Sequence, residues 1–170
     1  KGEILEAIIN RITGQLTGVL QAIVADPALS PREKLEQFFT QANQWKAARK
    51  EQLLQTGRVI YMDENVLLRE RLLRAQTETF VPMMAQVIEQ GVAEGVFEVA
   101  HPVEVAELIF VMMRVLGESI VRMLLEADVP LDMDKINRQI DTCNRSVGRV
   151  LGMADDSLTL IEPGAFNAWL

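Results

Sequence analysis

The chain has 170 residues, 49% of them hydrophobic, which is enough for one globular domain with a sizeable core. A formal net charge of -7 argues against a surface that binds nucleic acid, because that affinity depends on clustered Lys and Arg. The only cysteine, Cys143, excludes an internal disulfide, and no apolar run reaches about 18 uncharged residues. With no linker, repeat or targeting segment, we expect a soluble cytoplasmic protein with a single domain over residues 1–170.

The first predicted helix begins with the chain, and its apolar residues recur at helical spacing from Ile4 to Ile23. Gly14 and Gly18 lie on the opposite face, where each costs a helix about 1 kcal/mol relative to alanine and makes it easier to bend. Because Lys1 offers no cap, we expect a further segment before this helix.

The second predicted helix starts at Ser30 with the sequence SPRE, which supplies an N-cap serine, a proline in the first turn and a glutamate for a capping box. Helical spacing continues to Gly57, although Lys46 and Arg49 interrupt the apolar stripe in its second half. Three aromatic side chains point inward, and core packing is the simpler interpretation of them: Phe38, Phe39 and Trp45.

A third periodic stretch covers residues 65–94. Pro82 interrupts it, and because proline removes a helical hydrogen bond, we expect a kink or break near Thr79. Gly91 and Gly95 offer left-handed positions at which the helix can end, after which Phe97 can fold back as a plug.

The stretch from Pro102 to Leu125 predicts a central helix whose charged residues share a sector of about 80°. The rest of its surface is apolar or small, whereas a surface helix usually buries a stripe little more than about 100° wide. We therefore expect this helix to be covered on two or three sides, partly by another chain.

The last predicted helix carries apolar residues at alternating steps of three and four from Met133 to Ala154, which is typical of a coiled-coil seam. Packed on the central helix and doubled by symmetry, it would form a four-helix bundle between two subunits. The alternative is a seam within one chain. The predicted dimer interface comprises Gly117, Val121, Ile136, Ile140, Cys143, Val147 and Val150. The tail has no helical period, and five of its side chains are expected across a groove: Leu158, Leu160, Ile161, Phe166 and Trp169.

The order of helix starts and stops in VIEQGVAEGVFEVAHPVEVA, from Val87, resembles the TetR family of bacterial transcriptional regulators. SPREKLEQFF, the opening KGEIL and the closing GRVLG fit the same pattern, although His101 stands where the family more often has an acidic cap. The resemblance implies an all-α helical bundle that binds an effector and dimerises. It also implies a repressor that a small hydrophobic ligand releases, whose contact with DNA is made only by a helix-turn-helix domain absent from this chain.

No catalytic constellation is visible, so we expect no enzyme, cofactor or metal. The single histidine, His101, cannot supply the paired ligands of a carboxylate di-iron bundle. There is no Cys-x-x-Cys, Gly-x-Ser-x-Gly or phosphate-binding glycine loop. Cys143 lies on the apolar seam, where a small buried hydrophobe is the simpler interpretation than a redox sensor.

Methionine and aromatic residues gather in the segments that should surround the core, and thioethers fill irregular space adaptably. We predict a pliable apolar cavity for a hydrophobic or aromatic ligand with few polar groups; the alternative is a solid core. Trp45, Met84 and Met113 are the strongest candidates in a predicted lining of Phe39, Trp45, Tyr61, Met62, Met84, Phe110, Met112 and Met113. Two functions fit: a ligand-responsive regulator, or a helical binding or assembly module with no role at DNA.

Overall fold

The computed structural model describes residues 2–125, 132–154 and 157–166. Between residues 2 and 13 it describes the backbone, and the side chain of residue 7 only. Those residues form helices and turns without a strand, so the predicted all-α fold is confirmed. No helix among them combines the length and apolarity needed to cross a membrane. The helices are α1 (Gly2–Ala25), α2 (Pro31–Ala47), α3 (Lys50–Ile60), α4 (Val66–Ala93), α5 (Pro102–Leu125) and α6 (Met133–Val150), with a 3-10 turn at Asp63–Asn65.

The start of α2 is the predicted capping box. The Glu33 amide donates to Ser30 Oγ over 3.3 Å, and the Ser30 amide donates to Glu33 Oε2 over 2.8 Å. These reciprocal bonds satisfy amide groups that the first turn of a helix leaves unpaired. The bonds from Ser30 also lower the pKa of Glu33, because they stabilise its carboxylate.

The end of α2 departs from the prediction of one helix reaching Gly57. The Arg49 amide bonds the carbonyl of Lys46 rather than that of Trp45, which tightens the turn. The freed Trp45 carbonyl accepts from Arg49 Nη1 over 3.3 Å, while the guanidinium lies 4.2 Å above the indole ring. A hydrogen bond and a cation–π contact thus stabilise the corner at which α3 begins.

Helix α4 runs continuously through Pro82, so of the kink or break expected near Thr79 the break does not occur. Pro82 is exposed, so its ring displaces no packed neighbour. The Thr79 hydroxyl donates to the carbonyl of Ala75 over 2.7 Å, one turn before the proline. The helix therefore tolerates the loss of one amide donor on its outer face.

The end of α4 is a Schellman motif, as the glycine pattern predicts. Gly95 adopts φ 71°, its amide bonds the Val92 carbonyl over 3.1 Å, and the Val96 amide bonds the Gly91 carbonyl over 2.7 Å. Phe97 then folds back until it is 4% exposed, with its ring against Gly91. The predicted plug is confirmed.

Lys34 is 5% exposed and joins three helices at one end of the domain. Its Nζ donates to the Val24 carbonyl in the last turn of α1 and to Gln90 Oε1 on α4, each over 2.8 Å. A cation is favoured at the C-terminus of a helix, where carbonyls lack partners. The C-terminal end of α1 is thereby fixed to α2 and α4.

The seam on α6 packs inside its own chain. Ile136 and Ile140 are each 1% exposed and Val147 is 0% exposed, against α5 and the tail. Cys143 lies 3.5 Å from Met113 of α5, measured between the sulfur atoms, and burial raises the pKa of its thiol. These four side chains are buried within their own chain and Val150 is half-buried, so the heptad pattern forms a seam inside one chain. Contact of these residues with a second copy stays a prediction.

The tail packs onto the core, with Leu158, Leu160 and Ile161 buried and Phe166 half-buried. Asn144 of α6 fixes it, because its Oδ1 accepts from the amides of Leu160 and Ile161 and its Nδ2 donates to the Ile161 carbonyl over 2.9 Å. Trp169 lies outside the described residues.

Replacing Gly91 with alanine tests the plug. A Cβ at this position would overlap the Phe97 ring. We expect Gly91→Ala to lower the free energy of unfolding by about 1–3 kcal/mol in urea titrations, as overpacking does. Gly18→Ala is the matched control. It meets no heavy atom within 4 Å and should instead stabilise by up to about 1 kcal/mol through helix propensity. Equal stabilisation by both changes would contradict the packing of Phe97.

Candidate ligand-binding site

A cavity of about 350 Å³ lies between α1, α2, α3, α4 and α5, and the tail contributes Ile161 and Phe166 to its wall. Most of its lining is apolar. Representative residues of the five helices are Leu20, Phe39, Ile60, Phe80 and Phe110. A largely apolar pocket with a few placed polar groups is the usual form of a small-molecule site.

Phenyl rings from three helices meet at this wall. Phe38 and Phe39 of α2 pack edge to face with centroids 5.4 Å apart, and Phe38 meets Phe80 of α4 at 6.4 Å. Phe80 in turn lies 6.4 Å from Phe110 of α5. Aromatic pairs at these separations add to the stability of a packed wall, so the cavity has a defined surface between α2, α4 and α5.

Five of the eight predicted lining residues are at this wall: Phe39, Trp45, Tyr61, Phe110 and Met113. The other three lie elsewhere. Met62 follows α3 and is 47% exposed, whereas Met84 is 0% exposed within the solid core. Met112 precedes Met113 by one residue on α5, so its side chain points about 100° away around the helix axis and does not line the cavity. These three residues do not line this cavity, and ligand binding by any of the eight stays a prediction.

Gly117 and Val121, predicted as dimer contacts, also line the cavity. A Cβ built on Gly57 of α3 would lie 3.9 Å from Val121 Cγ1, so α3 approaches α5 closely there. A Cβ on Gly117 would have no heavy atom within 4 Å, which leaves open space beside that glycine. The central helix thus turns this side toward the cavity, and the predicted contact of Gly117 and Val121 with a second copy stays a prediction.

Lys46 brings a cation to the cavity wall. It follows Phe39 by seven residues and Ala42 by four on α2, so all three share one helical face. Lys46 is exposed by its accessible area, yet the protein atoms around its ammonium lower the pKa of that group by desolvation. The side chain therefore combines a place in the cavity lining with access to solvent.

The ammonium of Lys46 forms no hydrogen bond or ion pair with any residue that the structure describes. The lowered pKa means that the folded chain binds fewer protons than the unfolded chain between that pKa and the ordinary value of 10.5. The unpaired charge therefore destabilises the fold fully below the lowered pKa, and the effect is relieved as pH rises through that window.

The remaining charged groups of the wall have partners. Arg114 Nη1 pairs with Glu118 Oε1 over 2.7 Å, and the Arg69 guanidinium lies 5.9 Å from the Tyr61 ring. Burial, followed by the negative charge of Glu118, raises the pKa of the Tyr61 hydroxyl, so it stays protonated near neutral pH.

Lys46 is the functional candidate that periodicity alone passes over. Its signal is visible in the sequence, as a lysine at i+4 and i+7 from two apolar residues on a face that otherwise points inward. A lysine at such a position can instead extend along the helix surface to reach water, so the pattern alone does not identify a binding residue. The position of Lys46 in the cavity lining favours a role in binding.

Residues 46–123 match the family model described as Tetracyclin repressor-like, C-terminal domain. The matched segment, a little under half of the chain, is similar to a TetR-like C-terminal domain. The match begins at Lys46 and includes α3, α4 and most of α5, which supply much of the cavity wall, so the predicted resemblance is confirmed. Among curated proteins and solved structures, none matches the chain significantly.

Proposed function

We propose that this TetR-like domain binds an effector and dimerises within a cytoplasmic transcriptional regulator. The observation that carries the proposal is the apolar cavity, much of whose wall the family-matched segment supplies. A volume of about 350 Å³ is more than twice that of an engineered cavity of about 150 Å³ that binds benzene. A small hydrophobic or aromatic molecule fits this space and chemistry.

The same cavity suggests how an effector would act on an attached DNA-binding domain. Leu16 and Leu20 of α1 line it, while Lys34 fixes the C-terminal end of that helix to α2 and α4. A ligand that pushes on these leucines would then displace the N-terminal part of α1 more than its anchored end. A ligand that favours this arrangement shifts the population toward it, and the regulator acts as a repressor that the effector releases from DNA.

Dimerisation is proposed through the outer faces of α5 and α6. Leu108, Val111 and Val115 follow one another at steps of three and four along α5 and are 57%, 44% and 54% exposed. Gln139 of α6 donates to Ser119 of α5 over 3.2 Å, so the two outer faces adjoin. Symmetric contact of these faces with a second copy would form a four-helix bundle and bury the exposed apolar stripe.

The effector site is tested by filling the cavity. Gly117→Leu should place its side chain in the open space beside α5, and Gly18→Leu is a matched control on the exposed face of α1. In a thermal-shift screen of aromatic and aliphatic compounds, a ligand at about 100 times its Kd should raise Tm by about 5–10 °C. Gly117→Leu should abolish that shift, and Gly18→Leu should keep it. Retention of the shift in both variants would place the ligand outside this cavity.

The interface is tested by Val115→Glu, with Leu67→Glu on α4 as the control, since Leu67 is 77% exposed. Both positions are exposed in the single chain, so both variants should fold with unchanged helicity. Sedimentation equilibrium should find the parent and Leu67→Glu dimeric and Val115→Glu at least about tenfold weaker, because burying an unpaired carboxylate is costly. A parent that is monomeric at high micromolar concentration contradicts the proposal, as does a Val115→Glu dimer of undiminished affinity.

A further inference from the structure

The cavity contains a positive charge for which its own walls provide no counterion. Lys46 lies on the inward face of α2 together with Phe39 and Ala42, and no described residue pairs with its ammonium. An unpaired ammonium beside an apolar wall can form a charge-assisted hydrogen bond with an anionic ligand, so a ligand that pairs it gains more than one that only fills the space.

We propose that the effector carries a carboxylate, which binds the Lys46 ammonium while the apolar walls enclose the rest of the molecule. This inference rests on the proposed function, because it names the chemical class of that same effector. It departs from the expectation of a ligand with few polar groups, since it requires one anionic group at a defined end.

Asn43 supports this assignment. It precedes Lys46 by three residues, which places both on one face of α2, and it also lines the cavity. Its side-chain amide has no hydrogen-bond partner among the described residues. An ammonium and an amide N–H from adjacent turns of one helix are suitable donors for the two oxygens of one carboxylate.

The other cations of the wall are less suited to this role. Arg114 is already paired with Glu118, whose negative charge would repel a second carboxylate. Arg69 faces the Tyr61 ring, and Glu118 acts on that tyrosine as well. Among the described cations of the wall, Lys46 combines a cavity-facing position with the absence of both a partner and a neighbouring carboxylate.

The test compares acids with their neutral isosteres. A panel of phenylalkanoic and alkanoic acids, including 4-phenylbutyrate and decanoate, is titrated into the full chain by calorimetry at neutral pH. Each acid is matched by its primary amide, which has nearly the same shape and no charge. We expect the parent to bind at least one acid about ten- to a hundredfold more tightly than its amide, as expected for a charge-assisted contact.

Lys46→Met should remove that preference and leave amide binding nearly unchanged. Lys50→Met, which deletes the same charge at the start of α3 outside the cavity lining, should keep it. Because Lys46→Met removes a charge that no described residue pairs, its ligand-free Tm should equal or exceed that of the parent. This readout separates loss of the contact from loss of the fold.

Equal binding of acid and amide by the parent overturns the inference and leaves the proposed effector site standing. An acid preference that persists in Lys46→Met also overturns it, since the carboxylate is then bound elsewhere. If no acid or amide of the panel binds or stabilises the parent, the proposed effector site and this inference fail together.

Discussion

The width of the apolar surface of α5 is the constraint on which the rest of the structure depends. Its most deeply buried residues, including Ile109 and Ile120, need cover that one neighbouring helix cannot supply. Helices α4 and α6 pack closely against it, whereas α3 approaches on a further side and leaves a gap. That gap is the cavity, and the side of α5 that none of the described helices covers carries the stripe from Leu108 to Val115. One helix thus presents surface to the core, to the cavity and to solvent.

Local chemistry was predictable from the sequence where a few adjacent residues determine it. The capping box at Ser30 and the Schellman motif at Gly95 depend on backbone groups within one turn, so the residue types specify them. The corner at Arg49 was not predictable in this way, because a helical pattern continues across it and the guanidinium bonds a carbonyl that the tight turn has freed. Pro82 shows the opposite case, since an exposed proline leaves α4 continuous.

Periodicity also identifies a buried stripe without identifying what buries it. The heptads of α6 predict an apolar seam, and such a seam can pack against a helix of the same chain or of a second chain. The structure fills it with α5 and the tail, which Asn144 holds in place. The same ambiguity applies to the methionines. Met84 and Met113 both lie on inward faces, but only Met113 meets open space, because cavities arise from how several helices fit together and not from any one of them.

Two lysines of α2 illustrate how their surroundings separate a structural charge from a functional one. Lys34 is buried with a helix-terminal carbonyl and a side-chain amide as acceptors, and so its charge joins three helices. Lys46, three turns later, lines the cavity and has no carbonyl or amide acceptor among the described residues. The lowered pKa of its ammonium has burial as its cause. An unpaired charge such as that of Lys46 destabilises the ligand-free fold. An anionic ligand that pairs the charge would offset this destabilisation.

We propose that this cavity binds the effector and that Lys46 orients it. The most direct measurement is a crystal structure of the chain with the carboxylic acid from the panel that binds most tightly. We expect its apolar part between α2, α4 and α5, and a carboxylate oxygen about 2.7–2.9 Å from Lys46 Nζ, the distance of a charge-assisted hydrogen bond. An acid bound on the outer surface, or one whose carboxylate lies at Arg69 or in solvent with Lys46 unpaired, would contradict the account.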